Sequence, residues 1–215
     1  MGLFRVILIL VTPLWIIGIS TRIVFNPWFI DFEYSKEDFP KDRWGLDDGY
    51  RKFLAKLGLE AVLSKEGLEK FAKAKLPSGK KAFRKKEIDH MKDVNRFLKF
   101  FFPVSYTSFL VWLVGLFLLK KKSSYLIFSG IWTVVFIVSS GFLVVSFYDK
   151  AFAFFHDTVF GEFTWRFRDD DTLLRIYPMK FWFDGTVIVI VFSGLLSFFL
   201  ILLGGFKRKI FEKGH

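Results

Sequence analysis

The chain has no cysteine. That rules out disulfides, cysteine-based metal sites and a protein thioester. No Gly-x-Ser-x-Gly motif occurs, and Ser139, Ser140 and Ser146 lie inside an apolar run, so a serine nucleophile is not indicated. The His-x-x-x-x-Asp pattern of one class of glycerolipid acyltransferases is missing too, because Gly161 stands five residues after His156. Histidine is scarce: His90, His156 and His215 are the only 3 in 215 residues. None forms a His-x-x-x-His or His-Glu-x-x-His pair. Two histidines with nearby carboxylates could bind zinc or iron. Without that spacing the expectation is no metal site and no cofactor. Internal repeats and low-complexity linkers are also absent.

What the chain has in excess is apolar surface. Apolar residues make up 53% and aromatics 20%, with 31 Phe. Four runs reach the roughly 20 residues needed to cross a bilayer: Leu3–Ile23, Phe97–Leu119, Tyr125–Tyr148 and Phe183–Phe206. The net charge of +11 invites a nucleic-acid partner, but its location argues against one. The segment Val24–Arg96 holds 17 basic and 13 acidic residues, and Asp149–Trp182 holds 5 and 6. The remaining excess flanks apolar runs, as Arg5, Lys120, Lys121, Lys122, Lys207, Arg208, Lys209 and Lys213. Charges so placed orient helices in a membrane.

The fold class expected is an all-α membrane protein, with four transmembrane helices and a small, mainly helical extracytoplasmic cap. The short lysine-rich connection should be cytoplasmic. That puts both termini inside and both polar segments outside, against the mild counter-indication of Arg175 and Lys180. Residues 1–23 are then the first span and 24–96 the cap segment. Residues 97–148 are the second and third spans with a short cytoplasmic loop. Residues 149–182 form a second outer segment, and 183–215 the fourth span and a cytoplasmic tail. Arg5, the run to Ile17 and the pair Gly18/Ser20 resemble a cleavable signal peptide, but the apolar run continues to Ile23, which favours a retained helix.

Within the cap, Pro27 should end any helix. Asp47 can cap a short helix with Tyr50, Phe53, Leu54 and Leu57 on one face, stopping at Gly58. Ser64 begins another, with Leu68 and Phe71 inward. The stretch "KLPSGKK" from Lys75 reads as a turn. Lys85–Phe100 is helical and runs into the second span. A segment this small has little core of its own and should lean on the second outer segment and the membrane surface.

The candidate chemistry lies in that helix and in "FHDTVFGEFTWRFRDDDTLLRIYPMKFWFD", Phe155 to Asp184. His90 comes seven residues before Phe97 and His156 eight after Tyr148, so both should lie at one interface. The bland reading of each is an amphipathic anchor, but two at one depth make that less attractive. His215 is on the inner side and should be uninvolved. His90, Asp93 and Phe97 share a helix face, so Asp93 can orient His90. Asp157 adjoins His156 but would point elsewhere. Asp169–Asp171 read as a solvated loop with Asp171 capping Thr172–Ile176. Asp184 opens the fourth span, where an ionisable residue faces protein or a polar cavity, and Arg175 is its expected partner. Phe155, Phe160, Trp165, Tyr177 and Trp182 could be a membrane-interface belt or the lining of a lipid pocket.

These residues carry a resemblance. The run from Phe155 is similar to the signature of the lipoprotein intramolecular transacylase (Lit) family: Phe-His, a Phe four residues after the His, a later Trp, Asp-Thr-Leu, Tyr-Pro, then Phe-Trp-x-Asp entering the last span. "EIDHMKDVNRF" resembles the family's other His segment. The resemblance implies an enzyme of the bacterial cytoplasmic (inner) membrane, with its active site at the extracytoplasmic face. Its substrate would be a diacylglyceryl-modified lipoprotein with a free N-terminal Cys. The sn-2 acyl chain would pass to that amino group and leave a lyso-form lipoprotein. His90 and His156 would be the catalytic pair, with Asp93, Arg175, Tyr177 and Asp184 in support. Substrate and membrane lipid would be the partners, without nucleic acid. The alternatives are a lipid ester hydrolase or intermolecular acyltransferase using the same pair, and a non-catalytic membrane partner protein. Which histidine is base and which acid is open at this point.

Overall fold

The computed structural model describes residues 2–119 and 122–213; Lys120, Lys121 and His215 lie outside the described residues. The described residues form nine helices and no strands, with one isolated bridge between Lys75 and Lys81. The helices are α1 (Leu3–Val24), α2 (Pro27–Ser35), α3 (Asp48–Leu63), α4 (Lys65–Lys73), α5 (Lys85–Leu118), α6 (Lys122–Ser146), α7 (Tyr148–Phe160), α8 (Thr172–Ile176) and α9 (Met179–Lys213). Four contain segments long and apolar enough to cross a membrane: Phe4–Val24, Lys85–Leu118, Lys122–Ser146 and Met179–Phe206. This is an all-α integral membrane protein. The 34 residues of α5 would extend about 51 Å, against a hydrocarbon core of about 30 Å. The excess is the charged first third, Lys85–Arg96, so the spanning part begins near Phe97.

The chain divides into two compact units. The first comprises residues 1–23, 101–146 and 187–215. Its core joins Leu8, Trp15, Ile16, Trp112, Tyr125, Leu126 and Leu200. Small residues let its helices approach closely, as membrane packing favours. A Cβ on Gly18 would fall 2.0 Å from Ser105 Oγ, and one on Gly130 would fall 2.8 Å from the Ser197 carbonyl oxygen. The buried hydroxyls of Thr12, Thr133 and Ser197 each donate to the carbonyl four residues earlier.

The second unit comprises 24–100 and 147–186, so the two polar segments fold together. Phe29, Ile30, Leu54, Phe71, Phe83, Ile176, Tyr177 and Phe181 are buried. Two expectations about its helices are corrected. Pro27 does not simply end a helix. It begins α2 at the first helical position, behind an Asn26 cap, where its missing N–H costs nothing. α3 starts at its Asp47 cap as expected but continues through Gly58 to Leu63. Its buried face is Arg51, Leu54, Ala55, Gly58, Leu59, Ala61 and Val62, while Phe53 is exposed. The cause is Tyr177, whose hydroxyl donates to the Ala55 carbonyl and whose ring occupies the place a side chain at 58 would need. α4 follows its Ser64 cap as expected, and Gly79 turns the chain back with φ of 80°.

The expected pair of Arg175 and Asp184 is also corrected. Arg175 binds Asp42, at 2.8 and 3.0 Å. Buried Arg51 donates to the Arg175 carbonyl at 2.9 and 2.6 Å and to the Pro40 carbonyl at 3.0 Å. Asp184 instead binds Lys36 at 2.8 Å and Lys180 at 2.9 Å, and Lys36 reaches fully buried Glu33 at 2.6 Å.

Candidate active site

His90 sits on α5, one turn after Glu87. That buried carboxylate accepts from the backbone N–H of Arg84 at 2.7 Å and of Leu173 at 2.6 Å. One side chain thus caps the start of α5 and ties it to α8, which fixes the height and rotation of His90. The imidazole is 8% exposed, and its Nδ1 is buried without a partner.

His156 sits on α7, half-buried. Its Nδ1 lies 2.9 Å from the Phe152 carbonyl, one turn earlier. A carbonyl only accepts, so Nδ1 carries the proton and Nε2 of the neutral ring carries the lone pair. The two imidazoles lie with centroids 6.0 Å apart and planes 26° from parallel. Phe160 contacts both, at 5.1 and 5.3 Å. Phe152 stacks on His156 at 3.9 Å, Trp165 stands 5.0 Å from it, and Phe167 closes on His90 at 5.4 Å.

Asp157 bonds to other groups, yet it matters to His156 locally. It accepts from Trp165 Nε1 at 2.7 Å and pairs with Arg166 at 3.2 Å, holding the indole against His156. The turn between them uses positive φ at Gly161, 86°, and at Phe163, 64°. The second is strained for a side-chain-bearing residue.

Burial among these rings disfavours charge on both histidines. His90 is pushed down to about 4 by burial, with a further contribution from neighbouring His156. Burial also lowers His156, opposed by its bond to Phe152 and by the Asp157 charge. Both rings are neutral near pH 7. If one takes a proton it will be His156, which has the favourable carbonyl and carboxylate.

Of the residues singled out in the sequence, the structure gathers His90, His156, Phe155, Phe160 and Trp165. Phe155 is 5.4 Å from His156 and 6.0 Å from Phe97. The others make different contacts. Asp93 lines the cleft beside His90 but its carboxylate binds Arg96, at 3.1 Å. Arg175 and Asp184 serve the separate ion pairs above. Tyr177 is buried against α3, and Trp182 packs on Tyr177 and Phe181 at 5.5 and 5.3 Å. Sequence reasoning missed Phe152, Glu87 and the part played by Asp157. Phe152 was readable, being four residues before His156 on one helix. An open cleft of about 460 Å³ flanks His90, lined by Lys85, Lys86, Asp89, His90, Asp93 and Thr164. Among the described residues no three His, Asp or Glu side chains converge as metal ligands would.

A four-span protein with a neutral histidine pair lodged among aromatic rings is built as a membrane enzyme. Residues 6–182 match the family model of the lipoprotein intramolecular transacylase Lit, and the chain belongs to that family of acyltransferases. An uncharacterized protein of Aquifex aeolicus (strain VF5) is 47% identical over 212 residues, covering 99% of this chain and 97% of its own. The fold is shared with the in meso structure of the membrane integral lipoprotein intramolecular transacylase Lit from Bacillus cereus. That structure has a TM-score of 0.73 at 19% identity, with 97% of both chains covered. A histidine-to-arginine variant of the same protein gives a TM-score of 0.67 at 17% identity, covering 99% of this chain and 94% of its own.

Proposed function

We propose that the protein moves the sn-2 acyl chain of a diacylglyceryl-modified lipoprotein to the α-amino group of its N-terminal Cys, leaving a lyso-form lipoprotein. The observation that carries this reading is the histidine pair, 6.0 Å apart, with the tautomer of His156 set by Phe152. The substrate brings its own nucleophile, so the protein need supply none. The amine attacks the sn-2 ester carbonyl. The adduct closes an eight-membered ring through nitrogen, acyl carbon, sn-2 oxygen, two glyceryl carbons, sulfur, Cβ and Cα. Holding such distant ends together can contribute up to about 7–11 kcal/mol.

His156 Nε2 accepts the proton that leaves the amine and returns it to the glyceryl oxygen as the C–O bond breaks. One proton moves from nitrogen to oxygen, with no net change in charge. His90 stays neutral, because burial and the transient charge on His156 both oppose its protonation. Its N–H donates to the developing oxyanion, as a neutral imidazole can. Phe155, Phe160 and Trp165 confine the reacting ester. Phe154, Phe155 and Val159 give α7 an exposed apolar face suited to acyl chains. We assign the second unit to the extracytoplasmic side of the bacterial cytoplasmic membrane, from the basic short connection that includes Lys122.

Mass spectrometry of lipoprotein N-termini, with and without the enzyme, tests this reading. Internal migration conserves the acyl count and moves one chain to nitrogen. A lowered count would mean hydrolysis, and a raised count transfer between molecules.

A further inference from the structure

Along α5, Lys86, His90, Asp93 and Phe97 follow one another at helical spacing on one face. The chemistry changes along that face. Around Lys86 lies the open cleft, bounded apart from His90 by residues with charged or hydroxyl ends, Lys85, Lys86, Asp89, Asp93 and Thr164, whose carbon stems make most of its wall. At the other end Phe97 meets Phe155 and Phe160, each at 6.0 Å. His90 belongs to both settings, lining the cleft and touching Phe160. A ligand held across that boundary is amphiphilic, and its polar part leaves through the cleft.

We propose that this cleft is the subsite for the peptide segment that follows the acylated Cys of the substrate, an inference that rests on the transacylase reading above. Lys86 is four residues from His90, about 6 Å along the helix axis. An extended chain covers that distance in about two residues, so the third residue of the lipoprotein lies opposite Lys86. The Lys86 ammonium donates to the Arg166 carbonyl at 2.6 Å and stands 5.7 Å over Phe167. Among the described residues no carboxylate pairs with it. Asp89 is already held by Lys85 and Lys92, and Asp93 by Arg96. The uncompensated charge at that point is positive, so an acidic third residue binds better than a basic one. The effect is about two- to five-fold, as for other exposed pairs.

The test uses the full detergent-purified chain and synthetic diacylglyceryl-Cys lipopeptides ending at the Cys amide or extended by one, three or five residues. A three-residue extension is made with Asp or with Lys as the third residue. The cleft subsite predicts that kcat/KM rises with the first residues and then levels, and that Asp is preferred to Lys. Lys86→Glu should reverse that preference. Thr164→Trp, which fills the cleft, should bring the long-to-short ratio towards one. Both readouts are ratios within one preparation, so loss of folded protein does not affect them. Equal conversion of all lengths, or an unchanged preference in Lys86→Glu, would overturn the cleft subsite while leaving the transacylase reading intact. Conversion of none by the wild-type protein would overturn both.

Discussion

Arg175 grips Asp42 through two parallel hydrogen bonds, 133 residues apart in sequence, with both side chains buried. Burial pushes the Asp42 carboxyl up, but the guanidinium and the backbone N–H groups of Leu46 and Trp44 outweigh it and hold it near 2. The pair clamps the loop before α3 onto the end of α8. Removing one partner of a buried pair costs about 3–5 kcal/mol. Asp42→Asn and Arg175→Gln should each destabilise strongly, and the double variant should be less than additive. Arg175→Gln with Asp184→Asn should be additive, because those residues share no partner. Coupling between Arg175 and Asp184 above about 0.5 kcal/mol would contradict this arrangement.

Asp157 acts on His156 through Trp165. Asp157→Asn keeps an acceptor for the indole N–H and should retain most of the activity. Asp157→Ala frees the indole and should cost about ten-fold or more in kcat, since misplacement near 1 Å can cost about 10²-fold. Asp93→Asn should change kcat little, as Asp93 binds Arg96 and not His90. Kinetics on a defined lipopeptide would show this order, and a larger loss from Asp93→Asn would reverse the assignment.

The pH dependence follows from burial. An unperturbed histidine titrates near 6.5, and from the sequence alone activity should fall below about pH 6. With His90 near 4 and His156 also lowered, the acid limb lies further down. The substrate amine, with an ordinary value of about 7.7–8.0, then governs the neutral range. kcat/KM should rise through pH 7–8 as the amine loses its proton, without a separate inflection near 6.5. Stability has its own signature. Between pH 4 and 6.5 the unfolded His90 binds a proton that the folded one does not. Stability is therefore full above 6.5 and declines as pH falls through that window. Thermal unfolding of His90→Gln should show a flatter slope there than wild type.

The membrane architecture was legible because hydrocarbon thickness sets a length that four apolar runs meet, and because Asp47 and Ser64 carry local capping chemistry. The nearness of His90 to His156 was legible because two rare residues stood at similar distances, seven and eight residues, from apolar runs. The rest depends on partners remote in sequence. Gly58 looks like a helix end until Tyr177 is packed against it. Pro27 looks like a stop because nothing local shows that α2 will bury Phe29 and Ile30. Asp184 has several basic candidates, and only the fold brings Lys36 to it. Tyr177 and Trp182 shared an aromatic-rich stretch with the site, but α8 turns them into the packing of the second unit.

Because the chain has no cysteine, any introduced thiol is unique and can report the orientation. Ser78 is exposed on the turn after α4. Ser78→Cys should react with an impermeant thiol reagent in intact spheroplasts. Labelling only after lysis would place the second unit, and the histidine pair with it, on the cytoplasmic side.

The central claim is that His90 and His156 carry the proton and charge work of acyl migration. Its most direct test is conversion of a synthetic diacylglyceryl lipopeptide by His90→Ala and His156→Ala, per mole of monodisperse purified protein, read by mass spectrometry. Acid–base catalysis is worth about 10²–10⁴-fold. Each variant should lose at least that order of activity while keeping its helical circular dichroism. Near wild-type conversion per folded molecule by either would show that the rings merely anchor the second unit, and the two-histidine mechanism would be wrong.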